Sequence, residues 1–210
     1  MSDTANEQGA RFGMIIDLSL CVGCNSCVVS CKEENDLPVA SFNTWIESWD
    51  AGEYPAAKRA NLPKMCNHCQ DAPCVSVCPT GASYRTEDGI VLVDESRCIG
   101  CKYCMTACPY QVRWVNDGGA VEKCTFCANR STHGLLPACV SNCPTHSRVF
   151  GDLNDPDSEV AKRFAEAETL LPEQGLDTRV RYVGLSKLLE QPVTSSVWHG
   201  GRTVKKLGEE

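Results

Sequence analysis

Cys98-Ile99-Gly100-Cys101-Lys102-Tyr103-Cys104-Met105-Thr106-Ala107-Cys108-Pro109 is the stretch on which the fold turns. Four thiols fall within eleven residues, spaced C-x2-C-x2-C-x3-C, and a proline follows the last. The same spacing occurs at Cys21, Cys24, Cys27 and Cys31. Cys66, Cys69, Cys74 and Cys78 widen the middle gap to four residues, and Cys124, Cys127, Cys139 and Cys143 widen it to eleven. Pro79 and Pro144 close these two groups. The 210-residue chain has sixteen cysteines, and the four groups use all of them.

Three chemistries compete for such a pattern. Disulfides predominate in small secreted domains, and cysteines two residues apart bridge poorly, yet every group begins with such a pair. Zinc accepts C-x2-C pairs, but a tetrahedral site typically joins two separated pairs. Three thiolates within seven residues followed by C-x3-C-P match the bacterial ferredoxin run instead. A cubane cluster presents four iron corners, each needing one thiolate, and soft thiolates select iron–sulfur sites over hard cations. Val22-Gly23 and Ile99-Gly100 put small or flexible residues where backbone must approach inorganic sulfide. Four [4Fe–4S] clusters are therefore expected, and with them a chain that depends on metal for much of its folding free energy.

Outward from the cysteines, Met14-Ile15-Ile16-Asp17 reads as a strand leading into the first group. Ala82–Arg85 and Ile90–Val93 flank Asp88-Gly89, a strong hairpin signal. Cys66 to Pro109 is thus a compact two-cluster unit, and short helices are expected after each third cysteine. The expected fold is α+β: two bacterial-type two-cluster ferredoxin units, of short hairpins and helices around clusters. One comprises 11–63 with 119–153 and holds clusters one and four; the other, 64–118, holds clusters two and three. The segment from Ser41 to Lys64, with Trp45, Trp49 and Tyr54, is an insertion that fits neither unit by spacing. Residues 154–210 are expected to form a C-terminal helix and docking tail. Asp155 would cap that helix, Pro156 would take its first position, and Val160, Phe164, Ala167 and Leu171 would form one apolar face. The tail from Thr194 onward has little patterning.

Other residues are given plainer roles. His68 sits between two cysteines, but its group already has four thiols, so packing or hydrogen bonding is expected. His133, His146 and His199 are expected at the surface. Trp45, Trp49, Trp114 and Trp198 are expected in core or interface packing. Lys32, Lys102, Arg113, Lys123 and Arg148 lie near cluster ligands, where a cation raises a reduction potential. The formal charge of −7 argues against nucleic acid. No stretch approaches eighteen apolar residues, so no direct membrane span is expected. No Ser/His/Asp arrangement, phosphate loop or nucleotide fingerprint appears, and no catalytic residue is assigned. Met1 to Ala10 is polar, without a paired-Arg signal or apolar export segment, and reads as a flexible tail.

Four ferredoxin groups with a long gap in the last resemble the iron–sulfur subunits of membrane-associated molybdopterin oxidoreductases. The look is closest to polysulfide and thiosulfate reductase subunits at Ile16–Cys24, Pro79–Tyr84, Lys123–Cys127, Gly151–Leu153 and Asp155-Pro156. The resemblance implies a non-catalytic electron-transfer subunit between a molybdopterin catalytic subunit and a multi-helix quinone-binding membrane subunit. A sulfur compound such as polysulfide, thiosulfate or tetrathionate is the implied substrate. Alternatives are a free-standing polyferredoxin, or the same subunit in a dimethyl sulfoxide, arsenate or sulfite-oxidising complex. Such subunits are exported folded with a twin-arginine partner, which implies the extracytoplasmic (periplasmic) membrane face, a cytoplasmic-face complex being the alternative. Some relatives lack one cysteine in the third group and hold a three-iron cluster there, but here all four are present.

The resemblance also pairs group one with group four, and group two with group three. In two-cluster ferredoxins the fourth cysteine of each run ligates the other cluster, and a helical turn after Cys27 would carry Cys31 roughly 6 Å onward. The implied ligand sets are Cys21, Cys24, Cys27 and Cys143 for cluster one, and Cys66, Cys69, Cys74 and Cys108 for cluster two. Cluster three would take Cys98, Cys101, Cys104 and Cys78, and cluster four Cys124, Cys127, Cys139 and Cys31. The implied spatial order is one, four, two, three, with the first facing the catalytic subunit.

Overall fold

A computed structural model describes residues 9–190, 197–199 and 202–204. Its organising strand is β1 (Phe12–Asp17). The run is apolar on both faces, as befits a strand covered on both sides, and Met14, Ile15 and Ile16 are fully buried. Side chains alternate across it. Ile15 packs with Val160 and Ala167 on one face, while Met14 and Ile16 join the main core on the other. β8 (Arg148–Asp152) pairs antiparallel with β1 from Phe12↔Asp152 to Ile16↔Arg148. β9 (Val180–Val183) pairs parallel on the other edge, from Met14↔Val180 to Asp17↔Val183.

The segment Ser41 to Lys64 folds into a hairpin of β2 (Thr44–Ala51) and β3 (Lys58–Met65). Trp45 and Trp49 are buried in it. Tyr182 of β9 donates its hydroxyl to the Pro63 carbonyl at 2.9 Å, tying the hairpin to the central sheet. The hairpin of β4 (Ser83–Arg85) and β5 (Val91–Val93) is paired through Tyr84↔Leu92, around the Asp88-Gly89 turn. A second small hairpin, β6 (Trp114–Val115) with β7 (Val121–Glu122), follows group three. Its turn holds an Asp117-Gly118 pair, a turn signal of the same kind as Asp88-Gly89.

Four short helices carry the third cysteine of each group, each as its second residue. They are α1 (Ser26–Glu34), α2 (Pro73–Ser76), α3 (Tyr103–Thr106) and α5 (Ala138–Ser141), with α4 (Ala128–Ser131) in the long gap of group four. They start one residue ahead of the third cysteine instead of after it.

The helix expected from Pro156 to Leu171 is much shorter: α6 runs Glu159–Phe164, with Ser158 at its N-cap. Asp155 instead holds a turn, its side chain accepting from the Asp157 amide at 2.9 Å. Beyond α6, Glu168 exchanges two backbone hydrogen bonds with Tyr182, and Leu171 takes a left-handed φ of 54°. Sheet pairing has won over helical periodicity there. α7 (Leu185–Leu189) closes the described C-terminal part. The tail is also more patterned than expected: β10 (Val197–His199) and β11 (Arg202–Val204) extend the insertion hairpin, β10 lying against β2 through Trp198↔Ser48. Residues 1–8 of the N-terminal tail, and 194–196, 200, 201 and 205–210 of the C-terminal one, lie outside the described residues. Among the described residues no helix is long and apolar enough to cross a membrane.

Candidate metal-cluster sites

All four groups build their first loop the same way. The residue before the second cysteine has a left-handed φ in each: Gly23 at 69°, His68 at 44°, Gly100 at 66° and Phe126 at 53°. Glycine suits that conformation and other residues adopt it at a cost. A Cβ on Gly100 would also lie 2.7 Å from the Gly119 carbonyl oxygen. His68 and Phe126, the two exceptions, stack on each other at 3.8 Å between ring centroids. His68 Nδ1 accepts from the Val91 amide at 3.0 Å. Burial, reinforced by the charges of Lys123, Arg113 and Arg179, pushes its pKa far below the usual imidazole range, so the ring is neutral. It is a packing residue, as its position among four thiols suggested.

The loops bring cysteines together across groups. Cys31 lines one cavity with Cys124, Cys127 and Cys139. A second is lined by Cys66, Cys69, Cys74 and Cys108, and a third by Cys78, Cys98, Cys101 and Cys104. Cys21 lies within electrostatic reach of Cys27 and Cys143. Burial pushes the Cys31 thiol up to about 12, and Cys139 and Cys127 add to the shift. Burial likewise raises Cys69, followed by Cys66, Cys74 and Cys108. Burial first, and neighbouring thiolates second, favour the neutral thiols, and a cationic guest would offset both.

These donor sets fit iron–sulfur cubanes. Each offers sulfur alone, and among the described residues no three His, Cys, Asp or Glu are arranged to hold a single metal ion. Asn67 and Tyr110 line the Cys66 cavity, and among the described residues their buried side-chain polar atoms have no hydrogen-bond partner. Buried donors left unpaired are costly, and the sulfur atoms of a guest would accept from them.

The supporting residues come from elsewhere in the chain. Asn61 of the insertion hairpin donates to the Cys21 carbonyl at 3.4 Å and accepts from Ser48 Oγ at 2.8 Å, bracing the first loop. Asn35 Nδ2 reaches Cys31 Sγ at 3.6 Å, and the Ser83 amide donates to Cys78 Sγ at 3.3 Å. Of the five cations near the cysteines, Arg113, Lys123 and Arg148 are buried. Lys32 instead donates to carbonyls of the following loop, among them Ser41 O at 2.9 Å, and Lys102 is exposed. Trp114 donates to Asn43 Oδ1 at 2.9 Å. His133 and His146 are exposed, as expected, whereas the side chains of Trp198 and His199 lie outside the described residues.

Residues 58–153 match a family described as the 4Fe-4S dicluster domain. Over 190 residues the chain is 43% identical to the B subunit of tetrathionate reductase from Salmonella typhimurium, an alignment spanning 87% of this chain and 76% of that one. It is 42% identical over 206 residues to the iron-sulfur B subunit of a putative dimethyl sulfoxide reductase from Halobacterium salinarum, spanning 82% and 79%. The polysulfide reductase B chain of Wolinella succinogenes is 42% identical over 173 residues, spanning 80% and 91%.

Proposed function

Because the chain belongs to the iron–sulfur B subunits of the dimethyl sulfoxide reductase family of molybdoenzymes, we propose that it relays electrons between a quinone-reactive membrane subunit and a molybdopterin catalytic subunit. The clusters supply one-electron acceptors; the chain's residues hold them, set their order and keep water from the inner ones. Cys21, Cys24, Cys27 and Cys143 hold cluster one, and Cys124, Cys127, Cys139 and Cys31 hold cluster four. Cys66, Cys69, Cys74 and Cys108 hold cluster two, and Cys98, Cys101, Cys104 and Cys78 hold cluster three. Residues 11–63 with 119–153 form one cluster-binding unit and 64–118 the other, with 154–210 as the docking region.

The observation that carries this reading is the gradient of burial along the cysteines. Every thiol proposed for clusters two and four is buried, whereas Cys24 and Cys101, at the two ends of the row, are exposed. Exposed Val22 stands beside Cys24, and exposed Ile99 and Tyr103 beside Cys101. Apolar side chains around an open cluster site suit a protein partner at each end. The catalytic subunit belongs at the cluster-one end and the membrane subunit at the cluster-three end, on the extracytoplasmic face. The substrate class is a sulfur oxyanion or polysulfide, supported by the tetrathionate and polysulfide relatives. A dimethyl sulfoxide complex is the second reading, favoured by a relative of nearly equal identity.

Two measurements test the proposal. The purified protein should contain about sixteen irons and as many acid-labile sulfides, four of each per cluster. By electron paramagnetic resonance, Cys31→Ser should alter the same cluster as Cys124→Ser and leave that of Cys21→Ser unchanged; a shared signal for Cys31 and Cys21 would sink the pairing. Membranes carrying the chain with its partners should reduce tetrathionate or polysulfide with quinol. Reduction of dimethyl sulfoxide alone would favour the second reading.

A further inference from the structure

Among the described residues four cations are buried outside any ion pair: Arg179, which donates to Gln70 Oε1, and three that lie near the cysteines. Arg148, Lys123 and Arg113 are 4%, 3% and 7% exposed. Among the described residues, none of the ion pairs involves any of the three. Burying an unpaired cation is costly, so their positions point to the anions they serve.

Each one spans two cysteine quartets. Arg148 reaches Cys139 Sγ at 3.7 Å with one terminal nitrogen and Cys27 Sγ at 3.6 Å with the other, and it is steadied by Thr44 Oγ1 at 3.1 Å. Lys123 Nζ donates to the Cys124 carbonyl at 2.7 Å and to the carbonyl of Val91. Val91 lines the cavity of Cys66, Cys69, Cys74 and Cys108. Arg113 lines that same cavity and donates at 3.0 Å to Ser83 Oγ. Ser83 in turn lines the cavity of Cys98, Cys101 and Cys104. The three cations therefore stand between quartets one and four, four and two, and two and three.

We infer that Arg148, Lys123 and Arg113 are shared tuning cations, each raising the reduction potentials of the two clusters it separates. This rests on the crosswise assignment proposed above. A thiolate-ligated cluster gains negative charge on reduction, so a fixed positive charge favours the reduced form. Coulomb energy falls with distance, and buried charges are screened little by salt. A cation at a junction thus acts on two neighbours and only weakly on more remote clusters. They are positioning residues, since none is a ligand.

The test is a redox titration of the cluster-loaded protein by electron paramagnetic resonance. It compares wild type with Arg148→Gln, Arg148→Lys and Arg113→Gln, each with iron counted. Arg148→Gln should lower the midpoints of clusters one and four alone. The expected size is about a tenfold fall in the ratio of reduced to oxidised cluster at fixed potential, or 59 mV for a one-electron couple. Arg148→Lys keeps the charge and should restore most of that shift. Arg113→Gln should move clusters two and three alone. The inference is overturned if a Gln variant with sixteen irons leaves all midpoints in place, or moves only one cluster or all four equally. It also falls if both Gln variants lose iron, which would make these side chains braces for assembly. The cysteine variants check the pairing independently, so a wrong pairing is not mistaken for a failed cation.

Discussion

Groups two and three are separated by nineteen residues, most of them in or around one hairpin, whereas groups one and four are separated by ninety-two. The first pair needs only the β4–β5 turn to bring its cysteines together. The second must close a much longer loop, at a greater entropic cost, and it does so on the three-stranded sheet of β8, β1 and β9. Met14, Ile15, Ile16, Val180 and Tyr182 are all fully buried there. Around groups two and three the paired strands are only three or two residues long, and the quartets themselves form much of the interior. On the division proposed above, one half would rest chiefly on the apolar sheet, while the other would join the same core through Ile90, Val91, Tyr110 and Val112 and depend more on its clusters.

The sharpest way to break that comparison is to remove the metal. Chelation of iron under denaturant-free conditions should expose residues 83–93 to rapid amide exchange, because metal binding is folding energy for such a unit. Amides of β1 should keep measurable protection. Uniform loss of protection in both halves would show that the sheet has no stability of its own.

The converse perturbation strikes the core. Ile15 is fully buried against Val160 and Ala167, so Ile15→Ala should cost about 2–5 kcal/mol. Iron–sulfur proteins rarely refold, so the measurement is the rate of thermal bleaching. Clusters one and four should be lost before two and three. Simultaneous bleaching would mean that the two halves melt as one body.

What the sequence disclosed divides along the same line. The cysteine groups, the Asp88-Gly89 hairpin and the apolar run of β1 carry local signals: spacing, turn chemistry and continuous hydrophobicity. The pairing of β1 with β9, more than 160 residues away, carries none, because Val180–Val183 is too short to announce a partner. The same pairing explains the helix read too long. Val160 and Ala167 are indeed buried, but Ala167 is buried beside the Glu168 bridge to Tyr182, not on a continuing helix. Proximity in sequence proposed five tuning cations, and only burial separated Arg113, Lys123 and Arg148 from Lys32 and Lys102. His68 and Phe126 were legible in principle, since aligning the four groups puts them where Gly23 and Gly100 stand.

The smallest expected effect lies at the edge of the core-held half. The Glu168 carboxylate accepts from the Leu185 and Ser186 amides at 2.8 and 2.9 Å, and from the Ser186 hydroxyl. It therefore caps α7 from outside the helix. The Ser186 hydroxyl is the main reason its pKa lies below the ordinary glutamate range; burial opposes the shift, and the two amides reinforce it. A carboxyl held down in the folded state stabilises it above its unfolded pKa, near 4.3. That stabilisation is lost as pH falls through the lower folded value. Glu168→Gln keeps the shape and loses the charge, and removing a cap costs about 0.5–2 kcal/mol. Amides of α7 should therefore exchange several-fold faster in the variant at pH 7. The gap should begin to narrow below about pH 4.3 and close once the wild-type carboxyl is itself protonated. If the gap were the same at pH 7 and at the acid end, the cap would owe nothing to the charge. If none appeared at pH 7, the parallel strand β9 would be anchoring α7 without help from Glu168.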